Sequence, residues 1–293
     1  MTAVTPPEPN VPHPPDRPAL PTRRMTTARV LAVRGASSET RDDALVGEEP
    51  LEIRAAGPGQ EPVAVAVTMR TPGSEAELAV GFLRTEGLIG DRDVSGVEFG
   101  DPVRLSQPDD TVVVRLRRAF DSSVVAERHF VATASCGICG KASLDEIEVR
   151  CEPIPAGPVV DRATILGLPA ALREAQRVFE ATGGLHAAGL FDSDGRLVAA
   201  REDVGRHNAL DKLVGWAVLA GRMPLNGLVL MVSGRVSLEI VQKAAVAGIP
   251  MVCAVSAPSD LAVEAAGRFG QTLIGFLRGD GFNVYVGAER VRL

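Results

Sequence analysis

The chain has 293 residues, 45% hydrophobic and 23% charged, with nine Phe, one Trp and one Tyr, which is the composition of a globular protein with an aliphatic core. Thirty-one Lys and Arg against 37 Asp and Glu leave a net charge of −6. A broad grip on a nucleic-acid backbone is therefore not expected, and few aromatics remain to stack on bases. Four cysteines are too few for a disulfide scaffold, no run of 18 apolar residues occurs, and the N-terminal residues lack the pattern of a signal peptide. A cytoplasmic protein with neither a membrane nor a nucleic-acid partner is expected.

Residues 1–27 begin with eight prolines in the first 24 positions and read as a flexible tail. Residues 28–130 hold short apolar runs at 29–33, 62–69, 94–99 and 112–116, and a helix after the turn Thr71-Pro72-Gly73-Ser74. Ser74 and Glu77 fit a capping box for that helix, and Leu78, Ala79, Phe82 and Leu83 form its apolar face. These elements predict a small α+β lobe. Residues 131–143 are small and polar without period, so residues 131–160 are read as a loop and linker, with a short helix capped by Ser143 and Glu146.

Residues 161–293 carry the second lobe. A single helix is expected over 164–182, ending at Gly183-Gly184, with Leu168, Leu172, Ala175 and Phe179 on one face. Apolar runs at 185–191 and 197–200 flank Asp192-Ser193-Asp194-Gly195, a hairpin signal. Helices over 206–219, 238–247 and 261–269 then alternate with apolar runs at 228–232, 251–255 and 272–276. Continuously apolar strands separated by helices predict parallel strands covered on both faces, a three-layer α/β/α sandwich with residues 282–286 at its edge.

Two clusters carry chemistry. In Ser135-Cys136-Gly137-Ile138-Cys139-Gly140-Lys141 two thiols are separated by two residues among glycines. The spacing alone admits half of a zinc site, a dithiol–disulfide exchanger, two inert thiols, or a persulfide-forming thiolate on a movable segment with Lys141 favouring negative charge. In the second cluster, residues 202–212, Asp203, His207 and Asp211 are spaced by four, so that carboxylates flank the histidine on a helix. Arg206 stands at that helix's N-terminus, where anions are favoured. His186 lies among small residues. Ser233-Gly234-Arg235 and Ser256-Ala257-Pro258-Ser259 follow successive predicted strands, where open α/β sheets bind ligands. Arg278-Gly279-Asp280-Gly281 reads as a tight turn.

Taken in order, Ser135 to Gly140, the histidine segment Gly183 to Gly189, Glu202-Asp203-Val204-Gly205-Arg206-His207-Asn208-Ala209-Leu210-Asp211-Lys212, and residues 233–243, 254–264 and 275–285 resemble the FdhD family, the formate dehydrogenase accessory sulfurtransferases. The resemblance implies transfer of sulfur from a cysteine desulfurase to the molybdenum (or tungsten) bis-guanine-dinucleotide cofactor, before its insertion into the formate dehydrogenase catalytic subunit. It implies Cys136 as the persulfide-forming residue with Cys139 as partner thiol, and Phe276, Leu277, Arg278, Gly279, Asp280 and Gly281 as a cofactor-binding segment. To these the residues add Ser233, Arg235, His186, Arg206 and His207 as candidate contacts, with arginines suited to phosphate. It further implies a cytoplasmic homodimer and a larger lobe resembling the cytidine deaminase fold, without deaminase chemistry, because position 188 is Ala where a catalytic Glu would stand. No permanently bound metal is expected. A non-catalytic cofactor chaperone and a dithiol oxidoreductase remain the alternatives.

Overall fold

The computed structural model describes residues 24–100, 110–123, 125, 154 and 157–293. Residues 1–23 of the Pro-rich tail, the loop of residues 131–143, the helix expected at Ser143, and Cys136, Cys139 and Cys151 lie outside them, whereas residues 25–27, read as tail, are the start of a strand paired through its backbone. The chain opens with a long hairpin, β1 (Met25–Arg34) and β2 (Ser37–Val46), most of whose side chains are exposed. A four-stranded sheet of order β4-β3-β6-β5 follows, from β3 (Glu49–Ala56), β4 (Val63–Arg70), β5 (Val94–Phe99) and β6 (Thr111–Leu116). In β3, Leu51, Ile53 and Ala55 point inward while Glu52 and Arg54 pair outside at 2.8 Å, the alternation of a half-covered sheet.

Helix α1 (Glu75–Thr85) is apolar on nearly all sides over Leu78 to Leu83, a pattern that requires cover all round. It lies between this sheet and α4 (Arg206–Leu219) of the second lobe, itself buried over most of its length. The two helices cross where Gly81 faces the Asp211 carbonyl and Gly215 faces the Glu77 carbonyl, leaving no room for a Cβ at either glycine. The expected capping box does not form. Ser74 sits at φ 65° without a side-chain cap bond, because Glu77 is drawn away by Arg201, whose guanidinium grips both its oxygens at 2.5 and 2.6 Å.

In the second lobe β7 (Val160–Asp161) leads into α2 (Arg162–Ala175) and α3 (Arg177–Thr182). The single helix expected over 164–182 is broken at Gln176, φ −86° and ψ 69°. Glu202 is the reason: its carboxylate accepts the amides of Val178 (3.1 Å) and Phe179 (2.8 Å), capping a new start one residue after the break. Gly183, at φ 69°, terminates α3 as expected.

The main sheet has the order β13-β12-β11-β10-β8-β9, from β8 (His186–Phe191), β9 (Leu197–Asp203), β10 (Val229–Val232), β11 (Met251–Ala254), β12 (Thr272–Arg278) and β13 (Gly281–Val286). The pairings β10–β11 and β11–β12 are parallel, whereas β8 with β10, β9 with β8 and β13 with β12 pair antiparallel. The sheet is therefore mixed, with helices between the parallel strands as read: α5 (Leu238–Val246) and α6 (Asp260–Arg268). Val229, Met231, Met251, Cys253 and Ile274 face α2, while Leu230, Val232, Val252, Ala254 and Leu273 face the opposite helices. A three-layer arrangement results, with β13 at an edge. β14 (Val291–Arg292) pairs with β7. Among the described residues no helix is long and apolar enough to cross a membrane.

Candidate functional site at the strand ends

The carboxyl ends of β10, β11 and β12, the start of β8, the end of β9 and the N-terminus of α4 all meet at one edge of the main sheet, because β8 runs antiparallel to β10 and β9 antiparallel to β8. This puts five of the sequence-predicted residues side by side. His186 opens β8, half-buried, and a Cβ on Gly234 would stand 3.2 Å from its Nδ1 and 3.9 Å from Arg206 Cδ. Gly234 thus lets the turn after β10 pass over the imidazole. Ser233 is tied into the same turn: its hydroxyl accepts the Ala187 amide at 2.9 Å, and its own amide donates to the Ala187 carbonyl at 3.0 Å.

Burial lowers the His186 pKa, and the charges of Arg206, His207 and Arg235 push it further down, with Asp203 opposing. His186 is accordingly neutral at pH 7, inside a ring of positive charge. Arg206 is the first residue of α4, and its Nε is buried without a hydrogen-bond partner among the described residues. A buried donor of this kind costs about 1–3 kcal/mol if unmet, more when charged, so it asks for an acceptor.

The spacing by four of Asp203, His207 and Asp211 does not flank the histidine with those carboxylates. Asp203 precedes the helix and is consumed by Lys212 (2.7 Å), the Gly205 amide (2.8 Å) and Asn208 (3.0 Å). His207 and Asp211 do share a face of α4, but that face meets α5, where each finds its own partner. Glu239 lies 2.8 Å from His207 Nε2, and Lys243 lies 2.9 Å from Asp211. Because Glu239 and Lys243 are also four apart, the helices form a two-rung ladder. Burial raises the Glu239 carboxyl, but the His207 hydrogen bond and nearby charges outweigh it, so it remains a carboxylate. Glu239 is the site-adjacent residue that sequence spacing missed, since its partner is distant in the chain.

At the other end, β12 presses against the turn after β11. Gly275 has Pro258 and Tyr285 too close to admit a Cβ, and the Phe276 amide donates to the Ser256 carbonyl at 3.1 Å. Phe276 has φ 52°, a left-handed conformation rare for an aromatic residue, at a bulge against β13, and its ring remains 36% exposed with Arg278 5.5 Å from its centroid. Gly279, Asp280 and Gly281 form the exposed turn into β13, as read. Leu277 differs: its side chain is fully buried among the α2-side core, so only its backbone is available to a ligand. β8 and β12 are three strand spacings apart, roughly 14 Å at about 4.8 Å each. The site is elongated, with a histidine and arginines at one end and an exposed aromatic and arginine at the other.

Among the described residues no group of three His, Cys, Asp or Glu side chains is arranged to hold a metal. The model of the FdhD/NarQ family matches residues 46–292 of the chain. The sulfur carrier protein FdhD of Nocardia farcinica is 50% identical over 269 residues, covering 90% of this chain and 94% of its own. The protein of the same name from Streptomyces coelicolor is 49% identical over 279 residues, covering 92% and 97%. Among solved structures, a putative formate dehydrogenase accessory protein from Desulfotalea psychrophila superposes with a TM-score of 0.70 at 24% identity, covering 92% of this chain and 99% of that one. It shares the fold.

Proposed function

Because the chain belongs to the FdhD/NarQ family, we propose that it is a sulfur carrier in the maturation of a formate dehydrogenase. Cys136 takes sulfur from a cysteine desulfurase and passes it to a molybdenum (or tungsten) bis-guanine-dinucleotide cofactor, which is a substrate here, before that cofactor enters the formate dehydrogenase catalytic subunit. The observation that carries the reading is the elongated strand-end site, with Arg206 Nε buried and unmet at one end and the exposed Phe276 ring beside Arg278 at the other. A dinucleotide matches it in length and in chemistry. Arginine forks pair phosphate oxygens, and an aromatic face takes a purine.

In this reading Arg206, Arg235 and Arg278 take the phosphates, Phe276 and the turn Gly279-Asp280-Gly281 take a guanine, and His207 and the neutral His186 make ligand contacts. The Cys136 thiolate attacks the outer sulfur of the desulfurase persulfide. A sulfur–sulfur bond forms at Cys136 as the one in the desulfurase breaks, and the desulfurase thiolate leaves. Cys139 is the helper thiol. The chain acts as a cytoplasmic homodimer, and the larger lobe, a mixed sheet covered on both faces, is the one read as cytidine deaminase-like.

The test is intact-protein mass spectrometry after incubation with a cysteine desulfurase and cysteine. Wild type is expected to gain sulfur that a reductant removes, and Cys136→Ala to gain little or none. If wild type binds a guanine dinucleotide yet gains no sulfur, carriage without transfer replaces this reading. A Cys136–Cys139 disulfide as the working state would point to a dithiol oxidoreductase.

A further inference from the structure

A cavity of about 260 Å³ opens at the free edge of β9, between residues 71–74 and the α2–α3 break. None of its charged lining residues belongs to the strand-end site, with which it shares only Ala187 of β8, and the inference drawn from it does not rest on the sulfur-carrier reading. Four cations line it, Arg24, Arg177, Arg201 and Lys212, against one carboxylate, Glu202. Arg201 is held by Glu77 and Lys212 by Asp203, while Glu202 is occupied by the two amides of α3. The guanidinium groups of Arg24 and Arg177 have no partner among the described residues. Gln176, also in the wall, is 5% exposed, and its Nε2 is buried without an acceptor among the described residues.

The wall is shaped for one of these arginines. Gly73, at φ 103°, has the Arg24 guanidinium where a Cβ would project, so any larger residue would evict it. Arg24 and Arg177 are exposed, so water screens their charge, yet the excess of cations among the described residues around one small cavity favours an anion over a neutral or cationic ligand. The volume lies below the roughly 300–1,000 Å³ of sites for drug-sized ligands, which excludes a dinucleotide and suits a single small anion. Two guanidinium forks together with an amide match the several acceptor oxygens of a tetrahedral dianion.

We propose that this cavity binds a phosphate group, as the free ion or as the phosphoryl group of a small metabolite, between Arg24 and Arg177 with the Gln176 amide beside them. The test is calorimetric titration of the full chain at low ionic strength with sodium phosphate and, separately, with glycerol phosphate. Four proteins are compared: wild type, Arg24→Ala/Arg177→Ala, the charge-matched control Arg41→Ala/Arg196→Ala, and Arg278→Ala in the strand-end site. Saturable binding is expected in wild type, weakened at least tenfold in the first double variant and within twofold of wild type in the charge-matched control, while Arg278→Ala reports any phosphate taken by the strand-end site. Tighter binding of glycerol phosphate with the same arginine dependence identifies a phosphorylated metabolite; equal or weaker binding identifies the free ion. The proposal is overturned if wild type shows no saturable binding. It is equally overturned if the Arg24/Arg177 variant binds like wild type, if the charge-matched control loses as much, or if the loss appears in Arg278→Ala instead. Melting temperatures without phosphate, expected within a few degrees of each other, show that every variant is folded.

Discussion

His186 is a neutral imidazole among cations, and its protonation is where the strand-end site responds to pH. Its folded-state pKa is depressed, by burial first and by Arg206, His207 and Arg235 next. The unfolded chain, with a histidine pKa of about 6.5, therefore binds more protons than the folded one just below that value. The stability contributed by the neutral form is complete above about pH 6.5 and is lost as pH falls from there through the folded value. Urea midpoints of wild type should fall between pH 7.5 and 5.5 more steeply than those of His186→Gln; parallel profiles would show that His186 is not the titrating group. An anion in the ring of arginines favours the imidazolium, so guanosine diphosphate should bind tighter at pH 6 than at pH 7.5 in wild type, with the gain reduced in His186→Gln. Cys253 is the opposite case. It is fully buried in the centre of β11, and burial alone pushes its thiol far up. A thiol that does not ionise is neither nucleophile nor carrier. Cys253 should resist a maleimide in the native protein and react once denatured, and labelling of native Cys253 at the rate of an exposed thiol would refute this.

Elements whose signal is local were legible in the sequence, and those set by distant partners were not. The apolar runs of β10, β11 and β12 and the span of α4 follow from periodicity alone, and the β8–β9 hairpin from its turn residues. β2 was missed because Ser-Ser-Glu-Thr-Arg-Asp-Asp has no buried face to print a period of two; it is a strand because it pairs with β1 through ten residues. β3 does carry that period, in Leu51, Ile53 and Ala55, because one of its faces is buried. The break at Gln176 and the His207–Glu239 pair depend on contacts 20 or more residues away in sequence. So does the meeting of α1 and α4 at Gly81 and Gly215, which neither helix announces. At that crossing an added methyl strikes backbone, which cannot rotate aside. Gly215→Ala should therefore cost about 1–3 kcal/mol or more, the range for overpacking. Gly167, inside α2 with open space at its Cβ, provides the contrast: Gly167→Ala should stabilise by about 0.5–1 kcal/mol. Urea denaturation of both variants checks the pair, and equal effects would mean that the crossing is not the close contact described.

On the scale of the molecule, α1 and α4 lie between the two sheets with α5 and α6 packed alongside, and one apolar core runs from β3 and β6 through these helices to β10, β11 and β12. Two buried polar clusters fasten the same junction. Lys212 donates to Asp203 at 2.7 Å and to the Thr71 carbonyl at 2.9 Å, while Asp203 also accepts the Thr71 amide at 3.1 Å. Lys243 donates to Asp211 at 2.9 Å and to Thr85 at 2.8 Å, and Thr85 donates to Asp211 at 2.7 Å. Thr71 precedes α1 and Thr85 is its last residue, so both clusters bind the first half of the chain to α4, the helix that carries Arg206 and His207. A buried ion pair adds little over an apolar pair of the same shape, but removing one partner strands a charge and costs about 3–5 kcal/mol. Lys212→Met should lose stability on that scale, whereas Lys212→Met/Asp203→Leu should lose clearly less than the two single changes added together. With a shared core, unfolding should stay one transition, coincident by far-ultraviolet circular dichroism and by fluorescence of Trp216, the only tryptophan. A near-neutral Lys212→Met, strict additivity in the double variant, or two separated transitions would each show that the halves of the chain are held together less tightly than this junction requires.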